Sequence, residues 1–194
     1  MKQSICVYCG SNAGNNPLYA EAARRVGTYL GENGHTLVYG GGRVGLMGLV
    51  ADAAIGAGGH VVGIIPDFLH EREVAHSGVQ DLKIVSSMHE RKQLMADASD
   101  AFVALPGGIG TMEELFEIWT WAQLGRHEKP VGVLNVNGYF DGLLEFLDNM
   151  TGEGFLQDKH RKMLLESDRI EDLMDGFERF TYPGVITHLE REQT

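Results

Sequence analysis

The run Ala101-Phe102-Val103-Ala104-Leu105 leads straight into Pro106-Gly107-Gly108-Ile109-Gly110-Thr111, and Glu114 follows within one helical turn. Five apolar residues ended by a proline read as a strand and its terminus, because proline has no N–H to give to a ladder. The three glycines Gly107, Gly108 and Gly110 leave bare amides at the mouth of the helix that follows. A helix start of that kind attracts an anion. Thr111 either caps the helix or donates to a phosphate oxygen. Thr111-Met112-Glu113-Glu114 also fits a capping box, with Glu114 reaching back to the cap. The other reading is chemical: a carboxylate next to an anion cradle is an electrostatic cost unless it has a task, and Glu114 would stand a few ångströms from a bound sugar phosphate. The G-K-[ST] ending of a Walker A loop is missing, so a monophosphate suits the loop better than triphosphate hydrolysis does.

Two more clusters belong to the same chemistry. Gly40-Gly41-Gly42-Arg43-Val44-Gly45 satisfies G-x-G-x-x-G between a strand and a helix, so Gly41, Gly42 and Gly45 are further phosphate-loop candidates, with a packed glycine turn as the alternative. Ser87-Met88-His89-Glu90-Arg91-Lys92 sets two cations near a helix start, where the macrodipole favours acids. Solvated surface charge would explain them; so would a planar Arg91 fork that holds a phosphate or a carboxylate.

The elements that must position these residues are strands at 4–8, 36–39, 60–65, 82–85, 101–105 and 130–135. Between them lie helical patterns at 17–33, 46–57, 89–99, 111–124 and 139–153, several closed by a glycine. A short strand at 163–165 and a helix at 170–180 follow, then a charged end, with 183–194 expected to be loosely ordered. Strand and helix in alternation imply right-handed crossovers, hence a Rossmann-like, doubly wound α/β fold with a mostly parallel sheet covered by helices on both faces. At 194 residues the chain is expected to form a single nucleotide-binding domain.

Composition narrows the partners. The chain has 26 glycines, where average usage would give about 14, an excess that points to tight turns and close backbone approaches. A net charge of -11 argues against a nucleic-acid polymer, which is held by clustered Lys and Arg. The start shows no signal-peptide pattern and no run is long and apolar enough to cross a bilayer, so a cytoplasmic protein away from the membrane is expected. Cys6 and Cys9 form a lone C-x-x-C inside a strand-like run, which puts them on opposite faces and favours packing. No His-Glu pair at His70, His89 or His127 continues to H-E-x-x-H, and no metal site is expected.

With these residues in view, the chain resembles the LOG ("Lonely guy") family of cytokinin riboside 5′-monophosphate phosphoribohydrolases, once labelled lysine decarboxylase-like. The likeness runs through Cys9-Gly10-Ser11, Gly41-Gly42-Arg43-Val44-Gly45-Leu46-Met47-Gly48, Met88-His89-Glu90-Arg91-Lys92 and Thr120-Trp121-Ala122-Gln123-Leu124-Gly125. The family signature P-G-G-x-G-T-x-x-E is met at each fixed position, from Pro106 to Glu114. The resemblance implies hydrolysis of the N-glycosidic bond in an adenine-type nucleoside 5′-monophosphate, N6-modified or plain AMP, by a homodimer without metal or organic cofactor. It implies a catalytic pair, Arg91 and Glu114. It also implies a substrate site of Glu73, Lys92, Gly108, Ile109, Gly110, Thr111, Met112, Glu113 and Thr120. Two rivals remain. An NAD-dependent oxidoreductase would use Asp67, about 20 residues past Gly45, as its ribose acid, but leaves the second glycine loop unexplained. A non-catalytic nucleotide-binding or carrier module would not need Glu114.

Overall fold

The computed structural model describes residues 2–73 and 75–185, with the side chains of residues 71–73 outside that description. Its strands are β1 (Ser4–Tyr8), β2 (Thr36–Tyr39), β3 (His60–Pro66), β4 (Asp81–Val85), β5 (Ala101–Ala104), β6 (Val131–Leu134) and β7 (Leu164–Ser167). They form one sheet in the order β4-β3-β2-β1-β5-β6-β7, parallel at each pairing. The chain builds outward from β1 to β4, then crosses back to lay β5 on the other side of β1. The sheet therefore changes direction between β1 and β5, the crevice where open α/β sheets take their ligands.

The helices are α1 (Pro17–Glu32), α2 (Gly45–Gly56), α3 (Asp67–Glu73), α4 (Met88–Asp97), α5 (Ile109–Gln123), α6 (Asp141–Gly152), α7 (Asp158–Arg161) and α8 (Ile170–Arg179). Strand alternation sorts them into two layers. Ile5, Val7 and Val103 point to one core with α1, α2 and α8, whereas Cys6, Tyr8 and Phe102 point to another with α4, α5 and α6. Strands buried on both faces, such as β5 and β6, are what a parallel sheet requires. Helix α1 starts on Pro17 with Asn16 as cap, its side chain accepting from Leu18 N at 3.0 Å. It packs tightly on α2: a methyl group at Gly27 would lie 2.2 Å from the Val50 carbonyl oxygen.

Several boundaries depart from the pattern-based expectation. The last strand lies one residue further on and runs to Ser167. Helix α3 was not foreseen, because seven residues make only two turns, too few to display an apolar period. The four-residue α7 escaped for the same reason. Helix α5 begins at Ile109, two residues before its expected start. Of the 183–194 segment, residues 186–194 lie outside the described residues, while Val185 offers its carbonyl to Lys159 Nζ at 3.2 Å.

Candidate active site

The loops that follow β1 and β5 are laced together across the crevice. Leu105 N donates to Tyr8 O at 2.8 Å, Gly10 N to Pro106 O at 3.1 Å, and Leu46 N, in the first turn of α2, to Gly10 O at 3.0 Å. These bonds bring Cys9-Gly10-Ser11, the Pro106-Gly107-Gly108 loop and the start of α2 to one place.

The glycines of the second loop divide into two kinds. A methyl group at Gly107 would lie 2.2 Å from Thr111 Oγ1 and 2.9 Å from Gly10 N, so Gly107 is required by packing. At Gly108 and Gly110 the same methyl group would meet nothing within 4 Å. Packing does not explain those two, and a glycine there leaves room for a ligand to approach the backbone closely. Gly108 is the N-cap and has no side chain to cap with, so the amides of Ile109, Gly110 and Thr111, which lack intrahelical acceptors, are left for a ligand or water.

Thr111 is thus the third helical residue and not the cap, which corrects the capping-box reading of Thr111 and Glu114. The glycines before it let the helix start earlier. A reciprocal cap is found instead at α4, where Ser87 Oγ accepts from Glu90 N at 3.2 Å and Glu90 Oε2 accepts from Ser86 N at 2.8 Å. Ser87-x-x-Glu90 was the overlooked signal. The two hydrogen bonds from Ser86 hold the Glu90 carboxyl below its ordinary range.

That cap sets the start of α4 and so the place of Arg91. Its Nε donates to Ile64 O at 3.2 Å and its Nη2 to Gly40 O at 3.4 Å. The guanidinium is seated on the carboxyl ends of β2 and β3 and comes within 3.8 Å of Glu114 Oε1. The two side chains are only 8% and 11% exposed, so the pair faces a largely water-free environment in which charge interactions are strong. Lys92 turns the other way, to Glu113 Oε1 at 2.5 Å and Glu117 Oε2 at 3.0 Å. Burial works to lower its pKa, but the two carboxylates outweigh that and raise it, so Lys92 is a cation held by α5.

Arg91, Glu114, Gly108, Ile109, Gly110, Thr111 and Glu113 line one cavity of about 270 Å³, together with Cys9, Gly10, Ser11, Met47 and Met88. A second cavity of about 290 Å³ shares Gly10, Ser11 and Gly108 with it and continues to Tyr19, Leu46 and Tyr139. Ser11, Met47, Met88 and Tyr139 were not among the expected site residues, although the first three stand in segments that carry the family likeness. Cys9-Gly10-Ser11 lies directly after β1, and that position was the available signal.

Other expected site residues are placed elsewhere. Gly41 and Gly45 take positive φ and pack on Ile65 and Ser11, Gly42 bridges to Ala75, and all three stand outside both linings. The 40–45 loop serves the site indirectly: a methyl group at Gly40 would lie 2.0 Å from Arg91 Nη2. Met112 and Thr120 are also outside the linings. Thr120 is exposed on α5, about 15 Å along the axis from Gly110. Glu73 ends α3, its side chain among those not described. Asp67 is an exposed first residue of α3 and outside both linings.

Burial pushes the thiols of Cys6 and Cys9 and the Tyr8 phenol well up, with the Glu114 carboxylate adding to each rise, so these groups stay protonated near neutral pH and offer no thiolate nucleophile. Glu114 remains as the acid/base candidate. It lies one turn, about 6 Å, deeper along α5 than Gly110. An anion on the open amides would therefore hold its attached sugar over the carboxylate.

Comparison with known proteins identifies the family. The family model described as "Possible lysine decarboxylase" matches residues 47–177. Cytokinin riboside 5′-monophosphate phosphoribohydrolase LOG1 of Arabidopsis thaliana is 49% identical over 176 residues, 91% of this chain and 83% of its own. The LOG enzyme of Oryza sativa subsp. japonica is 49% identical over 176 residues, 91% of this chain and 73% of its own. Among solved structures, a molybdenum cofactor binding protein from Rippkaea orientalis matches at TM-score 0.67 and 20% identity, covering 92% of this chain and 96% of that one. The Moco carrier protein from Chlamydomonas reinhardtii matches at TM-score 0.68 and 19% identity, with coverage of 92% and 96%. These two share the fold. The identity to the plant enzymes over nearly the whole chain, with the P-G-G-x-G-T-x-x-E signature standing at the crevice, makes this protein a member of the LOG family.

Proposed function

We propose that the protein hydrolyses the N-glycosidic bond of cytokinin riboside 5′-monophosphates, releasing the free base and ribose 5-phosphate. The observation that carries this reading is the Glu114 carboxylate, 3.8 Å from the seated Arg91 guanidinium, one helical turn below an uncapped glycine helix start. The activity named for the plant relatives at 49% identity supports it.

The phosphate is held by the amides of Gly108, Ile109, Gly110 and Thr111, with the Ser11 and Thr111 hydroxyls beside them. Its binding fixes the ribose over Glu114. As the bond from C1′ to the base breaks, positive charge grows on the sugar, and the Glu114 carboxylate stabilises it. Glu114 then takes a proton from the water that adds to C1′ and returns it to solvent, while the base leaves with the bond electrons and takes up a proton from solvent. Arg91, 3.8 Å away, orients Glu114. Met47 and Met88, adaptable thioethers on the cavity wall, suit an adenine with a variable N6 substituent. Glu113 and Lys92 brace the N-terminal half of α5 through their ion pair.

The whole chain is proposed to act as one cytoplasmic domain in a homodimer. The exposed apolar side chains Ile109, at the start of α5, and Leu124, just past its end, favour association, and a role for Glu73 and Thr120 in substrate binding would belong to that assembly.

The test is to incubate the protein with isopentenyladenosine 5′-monophosphate, AMP and the unphosphorylated ribosides and measure released base chromatographically. Cleavage of monophosphates and not of ribosides is expected, with the N6-modified nucleotide preferred. Glu114→Gln should lose roughly 10²–10⁴-fold in turnover and keep nucleotide binding. Unchanged turnover in that variant would assign the base to another residue, no base release by the parent protein would leave a carrier, and equal rates on ribosides would remove the phosphate role of the loop.

A further inference from the structure

We propose that Tyr139 is a positioning residue that presets the phosphate-binding loop by latching the peptide between Gly107 and Gly108. The proposal rests on the nucleotide monophosphate reading above. It concerns the second cavity, whose role the chemistry at Glu114 does not explain.

Tyr139 follows the 3₁₀ turn at Val136–Gly138, in which Asn137 takes φ 53° and Gly138 φ 70°. The turn is tied down on both sides. Asn135 Oδ1 accepts from Phe140 N at 2.7 Å, and Asn135 Nδ2 donates to Asp141 Oδ1 at 2.7 Å. The tyrosine ring stands edge-on to Tyr19, with centroids 5.5 Å apart, and to Phe140 at 5.0 Å. From this fixed base its Oη donates to Gly107 O at 2.5 Å.

A trans peptide plane carries its C=O and its N–H in opposite directions. Holding Gly107 O toward Tyr139 therefore turns Gly108 N–H away from Tyr139, to the side of the loop where the catalytic cavity lies. Two adjacent glycines have the softest backbone a chain offers, and without an external hold this plane would sample several orientations. On its other side Gly107 is already packed on Thr111 and Gly10. The phenol completes the hold, so the Gly108 amide joins those of Ile109, Gly110 and Thr111 before the anion arrives, and binding does not have to order it.

Tyr139→Phe removes the latch and keeps the ring and its edge-on contacts. The expected result is a rise of about tenfold in KM for the 5′-monophosphate, with an equal weakening of competitive inhibition by inorganic phosphate and of ribose 5-phosphate binding by calorimetry. Turnover at saturation should stay within about threefold. A merely structural role would lower kcat through the folded fraction and leave KM in place, so the split between the two is diagnostic. Tyr182→Phe is the matched control: its Oη also donates to a carbonyl, that of Ala122 at 2.8 Å, at the far end of the same helix. It should change neither parameter. Unchanged KM and phosphate affinity in Tyr139→Phe, or a loss confined to kcat, would overturn the assignment. If the unaltered protein released no base from any monophosphate, the proposed function would fall, while ribose 5-phosphate and phosphate binding would still decide the role of Tyr139.

Discussion

Replacing Gly40 by alanine separates the support of Arg91 from its chemistry. Gly40 is not among the glycines with positive φ, so alanine carries no backbone penalty there. Its methyl group, however, would lie 2.0 Å from Arg91 Nη2, 3.2 Å from Arg91 Cζ and 3.4 Å from Met47 Sδ. The guanidinium has to withdraw, and it loses the bond from Nη2 to Gly40 O at 3.4 Å. At that length the charge-assisted bond is worth about 1.5 kcal/mol, the low end for its class. Retreat of the guanidinium by ~1 Å from its 3.8 Å approach to Glu114 weakens their attraction by about 1 kcal/mol at an effective dielectric of about 20. Together these amount to about 2–3 kcal/mol, roughly a 30- to 150-fold fall in kcat/KM. The assay is steady-state base release from a nucleoside 5′-monophosphate, with a thermal melt to confirm folding. A folded Gly40→Ala protein whose kcat/KM stays within threefold of the parent would refute the view that Arg91 must be seated to work.

Gly110→Ala makes the opposite case, because the added methyl group meets nothing within 4 Å. Its melting temperature should match the parent to about 2 °C while KM for the monophosphate rises several-fold, and a large loss of stability with KM unchanged would show that Gly110 is a packing glycine. His127 should give the fold a measurable pH dependence. Burial lowers its pKa, the bond between Nε2 and Ile118 O partly offsets this, and Lys129 adds to the lowering. Nδ1 accepts from Lys129 N at 3.1 Å, so the folded ring is neutral. The unfolded chain titrates near 6.5 and the folded ring below that, so stability is full above about pH 6.5 and falls as the pH drops through that value, levelling below the folded pKa. Urea midpoints at pH 7.5 and 5.5 should differ less in His127→Gln than in the parent; His35, lowered mainly by burial, keeps part of the slope. An equal difference in both proteins would contradict the assignment.

Much of the fold was legible because its signals are periodic. Ile5, Val7 and Cys9 against Cys6 and Tyr8 already assign the two cores, and α1, α2, α4, α5 and α6 each carry a glycine or a cap at an end. The site was legible in part. Glu114 and Arg91 stood out as a carboxylate and a cation in places where electrostatics alone does not favour them, and the structure sets them 3.8 Å apart. Two kinds of information were hidden. Ser87-x-x-Glu90 and Thr111-x-x-Glu114 satisfy the same capping pattern, and only the flexibility of Gly107 and Gly108, which lets α5 start at Ile109, decides between them. Residues such as Tyr139 carry no spacing signal, since they reach the crevice from a loop separated from it by 32 positions in the chain.

The two glycine loops show most clearly why a motif does not name its task. Both follow a strand and lead into a helix, and the 40–45 loop matches the dinucleotide pattern better. Yet Gly41 and Gly45 take left-handed backbone and press on Ile65 and Ser11, while the Gly40 carbonyl faces the Arg91 guanidinium. Gly108 and Gly110 take negative φ and face open space. One loop spends its glycines on chain geometry and on room for an arginine; the other keeps its amides uncovered. The difference follows from the sheet order. Strand β5 borders the point where direction reverses, so its loop opens on the crevice, whereas β2 is flanked by β1 and β3 on the same side of that point. A dinucleotide reading of the 40–45 loop would need the crevice on the other side of β1, and the crossover to β5 puts it elsewhere.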